Sequence, residues 1–133
     1  MCGVAGIFNL RDGPPPDRDA LGRMAAALHH RGPDERGLYR DHRVGLAHTR
    51  LSIVDLATGT QPLRSGDNLW IAYNGELFNH VELRAELEAT GVRFATKSDT
   101  EVIAAAWRTW GEAALARFNG QWAFALYAAD TGE

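Results

Sequence analysis

The order of strand-like and helix-like segments is the feature that most constrains how this chain can fold. Short apolar or alternating runs predict strands in CGVAGIFNL, LWIAYNG, VRFAT and QWAFALYA, and two strands or one bent strand in VGLAHTRLSIVDL. Three segments with apolar residues at helical spacing interrupt these runs. Because the strict alternation of a doubly wound parallel sheet is missing, the order predicts an α+β fold with layered sheets.

The helix starts are marked by capping residues. Asp17 is a predicted N-cap, and the first helix stops at the Gly-Pro of HHRGPDERG. Asn79 with Glu82, and Ser98 with Glu101, have the spacing of capping boxes. The second helix is predicted to end before Gly91. The third is predicted to run to Gly111, after which EAALARF forms a short helical piece.

Composition narrows the class of protein. With 133 residues, 45% of them hydrophobic, and no linker-like stretch, residues 1–133 are predicted to form a single domain. The net charge of -3 and the scattered Lys and Arg argue against a nucleic-acid surface. A single cysteine fits a reducing compartment, and no run is long enough to span a bilayer or resembles a signal peptide. We therefore expect a cytoplasmic protein that contacts neither nucleic acid nor membrane.

Cys2 is the candidate nucleophile. A free thiol has a pKa of about 8.5, so it needs a base to become a thiolate at neutral pH. If Met1 is removed, Cys2 carries an α-amine with a pKa of about 7.7 to 8.0, which suits that task. While Met1 remains, the same nitrogen is an amide and no base. The alternative is a small cysteine that merely packs within a strand.

Other residues have the right chemistry for a bound amide and its charged groups. Asn74 offers an amide donor and Gly75 an accessible backbone N–H for an oxyanion, although Asn-Gly is also a common tight turn. Arg50 has the fork that matches a carboxylate, although an arginine among apolar residues often forms a structural ion pair. The five histidines lack zinc-site spacing, and His48 is interpreted as a core residue.

Several ordered stretches carry a family resemblance: MCGVAGIF, RGPDERG, AHTRLSIVDL with GTQPL, YNGELFNH, and SDTEVI followed by FNGQWAFALY. Together they resemble the class II glutamine amidotransferase domain of the asparagine synthetase type. The resemblance implies a four-layer αββα sandwich of the N-terminal nucleophile kind. It also implies hydrolysis of L-glutamine to glutamate and ammonia through a Cys2 thioester. The ammonia would pass to a synthetase domain, in cis or in trans, that uses ATP and Mg²⁺, with no cofactor in this chain.

The resemblance also implies roles for individual residues. Asn74 and Gly75 would form the oxyanion hole, Arg50 would bind the substrate carboxylate, and Asp99 and Glu76 would contact its amino end. Leu51, Ser52, Ile53 and Val54 would line the pocket. The RGPD loop is interpreted mainly as architecture, with a local ion pair between Arg31 and Asp34 as one option.

Two alternatives to this function stay open, and both concern a domain that is expected to be partial. Family members continue beyond this region, so the resemblance implies a partial domain that lacks its C-terminal strands and the synthetase domain. The same scaffold also serves other class II amidotransferases and N-terminal nucleophile amide hydrolases. Finally, an incomplete sandwich could be a non-catalytic interaction module, because an open sheet edge is able to pair with another chain or a second copy.

Overall fold

A computed structural model describes residues 2–52 and 59–133 of the chain. Within these ranges the chain forms six β-strands, three α-helices and one 3₁₀ helix. The strands are β1 (Gly3–Phe8), β2 (Glu35–Arg40), β3 (Val44–Arg50), β4 (Leu63–Ser65), β5 (Leu69–Leu77) and β6 (Gly120–Ala128). The helices are α1 (Arg18–Ala27), α2 (His80–Ala89) and α3 (Asp99–Trp110), and the 3₁₀ helix Gly111–Arg117 follows α3 directly.

The described strands pair into two antiparallel sheets. The first sheet has the order β1-β3-β2, and the second has the order β4-β5-β6. In the first sheet Gly3 pairs with Thr49, and Glu35 pairs with Arg50. The central strand β3 is buried along its whole length, as expected for a strand covered on both faces.

Apolar side chains hold four layers together. Leu21 and Ala25 of α1 pack with Ala47 of the first sheet. A second cluster lies between the sheets, where Leu46 and Tyr127 are among the buried residues. The largest cluster lies between the second sheet and the helices α2 and α3. The predicted four-layer αββα sandwich is therefore confirmed.

Three strand predictions need correction. The segment VRFAT is a loop that connects α2 to α3, and its apolar Val92 and Phe94 pack against the core from this loop. No element was predicted over the residues of strand β2, although they alternate between half-buried and exposed. Strand β4 has only three residues and lies within ATGTQPLRSGDN, a segment rich in Gly, Ser and Pro that predicts a loop. The continuation of VGLAHTR into SIVD falls largely on residues 53–58, outside the described ranges.

The N-caps predicted at Asp17 and Ser98 are confirmed, but the two predicted capping boxes do not form among the described residues. Asp17 caps α1, since its carboxylate accepts hydrogen bonds from Asp19 N and Ala20 N. Ser98 caps α3 through Thr100 N, but Glu101 does not complete a capping box. Its carboxylate instead accepts hydrogen bonds from the backbone of residues 95 and 96, which fastens the preceding loop.

The capping box predicted at Asn79 is wrong. The Asn79 side chain makes no capping hydrogen bond to α2. Its amide instead donates to Arg117 O and accepts from Asn119 N, at 2.9 and 3.0 Å. It thus ties the start of α2 to the segment that leads into β6. No helix in the described ranges is long and apolar enough to cross a membrane.

Candidate active site

A cavity of about 350 Å³ opens where the ends of both sheets meet the start of α3. Most of the predicted site residues lie around it: Cys2, Arg50, Leu51, Asn74, Gly75, Glu76 and Asp99. Ser52 follows Leu51 but does not line the cavity, and Ile53 and Val54 lie outside the described residues. Residues that the sequence did not single out also contribute to the wall, chiefly Gln61, Tyr73, Phe78, Thr100 and Gln121.

Cys2 lies immediately before β1 and is half-buried. Its Sγ is 3.9 Å from the carbonyl oxygen of Leu51, across the gap to the chain that leaves β3. The next residue must be glycine, because a Cβ on Gly3 would lie 2.6 Å from Thr49 Oγ1 and 2.8 Å from Leu28 Cβ. Close packing of this backbone therefore fixes where the Cys2 side chain can reach.

Arg31 is a site-supporting residue that the sequence interpretation missed. Its Nε donates a hydrogen bond of 3.0 Å to the carbonyl oxygen of Cys2. The local ion pair considered for Arg31 and Asp34 is absent from the ion pairs of the described residues. Asp34 instead accepts a hydrogen bond from Ser52 N at 2.8 Å. The RGPD loop therefore braces both Cys2 and the chain that follows Arg50.

The Asn74-Gly75 pair is not a hairpin turn, which corrects that alternative. Strand β5 continues through both residues, and Gly75 pairs with Trp122 of β6. A Cβ on Gly75 would lie 2.3 Å from Gln121 O, so only glycine fits this close approach of the two strands. Oδ1 of Asn74 is buried and has no hydrogen-bond partner in the described part of the chain. An unpaired buried amide oxygen is costly, which favours a ligand at this position.

Arg50 lines the cavity and also forms the structural ion pair considered as its alternative. It is 5% exposed, and its guanidinium is 3.1 Å from the carboxylate of Glu35, its cross-strand partner. The other oxygen of Glu35 accepts a hydrogen bond from Thr60 Oγ1 at 2.9 Å. The ion pair holds the guanidinium at the cavity wall in a fixed orientation.

Asp99 stands at the first position of α3. Because Ser98 supplies the N-cap, the Asp99 carboxylate is not used for capping. Its Oδ2 accepts hydrogen bonds from the Tyr73 hydroxyl at 2.9 Å and from Leu77 N at 3.2 Å. The carboxylate therefore faces β5 across one side of the cavity, and the exposed Glu76 adds a second acid to the wall.

His48 is a satisfied core histidine, as predicted. It is 1% exposed, and its Nε2 lies 2.9 Å from the carbonyl oxygen of Tyr73. A carbonyl only accepts hydrogen bonds, so Nε2 carries the proton in the neutral ring. Burial lowers the pKa of His48, and the charge of Arg50 lowers this pKa further.

The lowered pKa of His48 predicts a pH-dependent stability. The unfolded chain binds a proton at a pKa of about 6.5, whereas folded His48 binds it less readily. Its contribution to stability is therefore complete above about pH 6.5 and is lost as the pH falls below that value. We expect the free energy of unfolding, measured with urea between pH 7.5 and 5, to decline less in His48→Gln than in the parent. The exposed His42→Gln should decline like the parent, and identical slopes for all three would contradict this account.

Comparisons with known proteins agree with this geometry. A family model described as a glutamine amidotransferase domain matches residues 1–133. The chain belongs to the glutamine amidotransferase domain family. It is 43% identical over 130 residues to asparagine synthetase [glutamine-hydrolyzing] 1 of Bacillus subtilis, covering 96% of this chain and 21% of that protein. It is 40% identical over 128 residues to asparagine synthetase B of Escherichia coli, covering 96% and 23%.

Solved structures show the same amidotransferase fold. The chain aligns with glutamine phosphoribosylpyrophosphate amidotransferase of B. subtilis at a TM-score of 0.53 and 28% identity, covering 64% of this chain and 21% of that one. A structure of the allosteric regulatory enzyme of purine biosynthesis aligns at a TM-score of 0.55 and 30% identity, covering 68% and 22%. The predicted family, of the asparagine synthetase type, is thus confirmed. The chain spans about a fifth of the length of the curated relatives it matches.

Proposed function

We propose that this amidotransferase domain hydrolyses L-glutamine to glutamate and ammonia through a thioester on Cys2. The observation that carries the proposal is the cavity that these groups share. It is lined by a thiol, a buried arginine, a carboxylate at a helix start, and an asparagine whose side-chain oxygen has no hydrogen-bond partner among the described residues. Glutamine presents the complementary groups: a carboxamide, a carboxylate and an ammonium.

The proposed chemistry begins once Met1 has been removed. The α-amine of Cys2 takes the thiol proton, and the thiolate attacks the carboxamide carbon. The Asn74 amide and the Gly75 N–H donate hydrogen bonds to the resulting oxyanion. Collapse of this intermediate breaks the C–N bond, and the amine returns the proton to the departing ammonia. Water then attacks the thioester through a second oxyanion, which releases glutamate and restores the thiol.

The remaining predicted residues are proposed to bind the charged end of glutamine. Arg50 would bind the carboxylate, while Asp99 and Glu76 would bind the ammonium. Leu51 forms part of the wall, and Ile53 and Val54, which lie outside the described residues, would continue it, whereas Ser52 does not line the cavity. The assignment of Arg50 is supported by its fixed position at the cavity, where its planar fork suits a carboxylate.

We further propose that the ammonia serves a synthetase domain of the asparagine synthetase type, in cis or in trans. This acceptor is supported by the similarity of the chain to two glutamine-hydrolysing asparagine synthetases, at 43% and 40% identity. ATP and Mg²⁺ would belong to that synthetase domain, and no step in this chain uses them. A cytoplasmic location and the absence of nucleic-acid or membrane contacts are part of the same proposal.

One experiment tests the proposed hydrolysis directly. The intact mass of the purified chain shows whether Met1 has been removed, and an ammonia assay then measures turnover of glutamine. Release of ammonia and glutamate in equal amounts by the processed chain supports the proposal. A processed, folded chain that releases no ammonia would instead support the interaction-module alternative, for which size measurement in solution shows whether copies associate.

Replacing Arg50 by alanine should weaken glutamine binding more than it slows turnover. Loss of a charge-assisted hydrogen bond to the carboxylate should raise KM about 10- to 100-fold, with kcat changed less than about threefold. Steady-state kinetics measures both constants. Arg117→Ala is the matched control, because Arg117 forms an ion pair of the same 3.1 Å length with Glu86 on the surface. A fall in kcat with an unchanged KM would contradict the assignment.

A further inference from the structure

We propose that Tyr73 is a positioning residue that orients the Asp99 carboxylate toward the ammonium of glutamine, and so selects substrates that carry an α-amino group. The proposal rests on the proposed function and adds a specificity determinant to it. Tyr73 does not take part in the proposed bond-making steps. It acts through the hydrogen bond from its hydroxyl to Asp99 Oδ2, at 2.9 Å.

Tyr73 is held from several directions. It is 3% exposed, and its backbone N–H donates to Gln61 Oε1 at 2.6 Å. Its carbonyl accepts the hydrogen bond from His48, which crosses from the first sheet to the second. With both backbone groups and the hydroxyl engaged, the ring has little freedom to move. A hydroxyl at a fixed position can fix the orientation of the carboxylate that accepts from it.

Gln61 joins this strand to the start of α3. Its side chain is buried at 7% exposure, and Nε2 donates to Thr100 Oγ1 at 3.2 Å. Thr100 directly follows Asp99, so the same glutamine spans the two elements that carry Tyr73 and the carboxylate. Leu77 N supplies the second donor to Asp99 Oδ2. The distance between β5 and α3 is thus set by the hydrogen bonds of Gln61 and by the one from Leu77 N to Asp99.

The protonation state supports a donor role for Tyr73. Burial raises the pKa of the Tyr73 hydroxyl far above its usual range, and the nearby Asp99 carboxylate raises it further. The phenol therefore stays protonated and donates a hydrogen bond to the carboxylate. Because two donors engage Oδ2, the carboxylate presents itself to a cationic ligand in the cavity in one orientation.

The consequence is selectivity for one substrate group. An ammonium placed against Asp99 gains a charge-assisted hydrogen bond only if the carboxylate is correctly oriented. Glutaramate, which is glutamine without its α-amino group, has nothing to gain from that orientation. Removal of the Tyr73 hydroxyl should therefore weaken binding of glutamine and leave binding of glutaramate unchanged.

Binding to a Cys2→Ala form of the chain tests this without requiring turnover. Isothermal titration calorimetry measures L-glutamine and glutaramate against Tyr73→Phe, with Tyr39→Phe as the matched control. Tyr39 also donates a tyrosine–aspartate hydrogen bond, to Asp41 at 3.1 Å, but it does not line this cavity. We expect Tyr73→Phe to raise the Kd of glutamine about fivefold, as for loss of one positioning hydrogen bond, with no change for glutaramate. Tyr39→Phe should change neither.

Adding Asp99→Asn separates positioning from general loss of structure. If Tyr73 acts through Asp99, Tyr73→Phe should cause no further loss of glutamine binding in the Asp99→Asn background. Equal weakening of both ligands, no weakening of glutamine, or fully additive losses would overturn the proposal. Hydrolysis by the unmodified Cys2 chain is scored separately: selective loss of glutamine binding without any hydrolysis would keep Tyr73 as a positioning residue and overturn the proposed function.

Discussion

Replacement of Cys2 by alanine is expected to lower glutamine hydrolysis by about four orders of magnitude or more, because removal of a covalent nucleophile leaves only binding and oxyanion stabilisation. Cys2 is the only cysteine, so no other thiol in the chain could take over the attack. Alanine is small and preserves the α-amine after methionine removal, which isolates the contribution of sulfur. Ammonia release, measured on samples whose intact mass shows that Met1 is gone, checks the result.

The same variant should leave the fold intact. Within residues 2–52 and 59–133 the thiol makes a single hydrogen bond, a long one of 3.9 Å to Leu51 O, so its loss should change the free energy of unfolding by less than about 1 kcal/mol. Urea denaturation of the two proteins measures this difference. A folded Cys2→Ala protein that retains more than a tenth of the parent activity would exclude Cys2 as the nucleophile.

Asn74→Ala should have the second-largest effect. Loss of one donor from an oxyanion hole slows turnover by about 10²- to 10³-fold, while ground-state binding changes little. We therefore expect kcat to fall by that amount and KM to stay within about threefold of the parent value. Steady-state ammonia release over a range of glutamine concentrations gives both constants. Asn68→Ala is the control, since Asn68 is exposed at the opposite end of β5.

If Asn74→Ala changed KM rather than kcat, the role assigned to Asn74 would change. An increase in KM with an unaffected kcat would mean that its amide contacts the substrate before the reaction rather than the oxyanion. Its buried and unpaired Oδ1 would then be the acceptor for a donor of the substrate. Asn74→Asp keeps an acceptor at that place and removes the donor, so it should slow turnover at least as strongly as alanine does.

Local signals in the sequence predicted most of the elements. Asp17 and Ser98 mark their helices because capping depends on neighbouring backbone groups only. The order of the segments gave the α+β class, and the family resemblance gave the four layers. Strand β2 was not predicted, because its exposed face carries the apolar Leu38 between Arg36 and Arg40, so the segment lacks the alternation of apolar and polar residues that marks a strand. Conversely, VRFAT has the composition of a strand, but its apolar side chains pack from a loop.

In the candidate site, likewise, the sequence predicted some features and not others. The residue types of Cys2, Asn74 and Arg50 pointed to amide chemistry, and the resemblance implied their roles. The contacts that hold them in place could not be predicted, because each joins elements that are distant in sequence. Arg31 reaches Cys2 from the loop after α1, and Gln61 joins β5 to α3. These contacts depend on how the layers stack, which no local pattern encodes.

The anchor that Arg31 provides has a consequence for maturation. Arg31 donates its hydrogen bond to the carbonyl oxygen of Cys2, whereas removal of the preceding residue changes only the nitrogen of Cys2. We therefore expect this hydrogen bond to persist when Met1 is removed, so that the backbone of Cys2 is held in the same place before and after cleavage. A fusion partner joined to the nitrogen of Cys2 would accordingly leave the domain folded but without glutaminase activity, because that nitrogen would be an amide. Proteolytic release of the partner would then restore the activity without refolding.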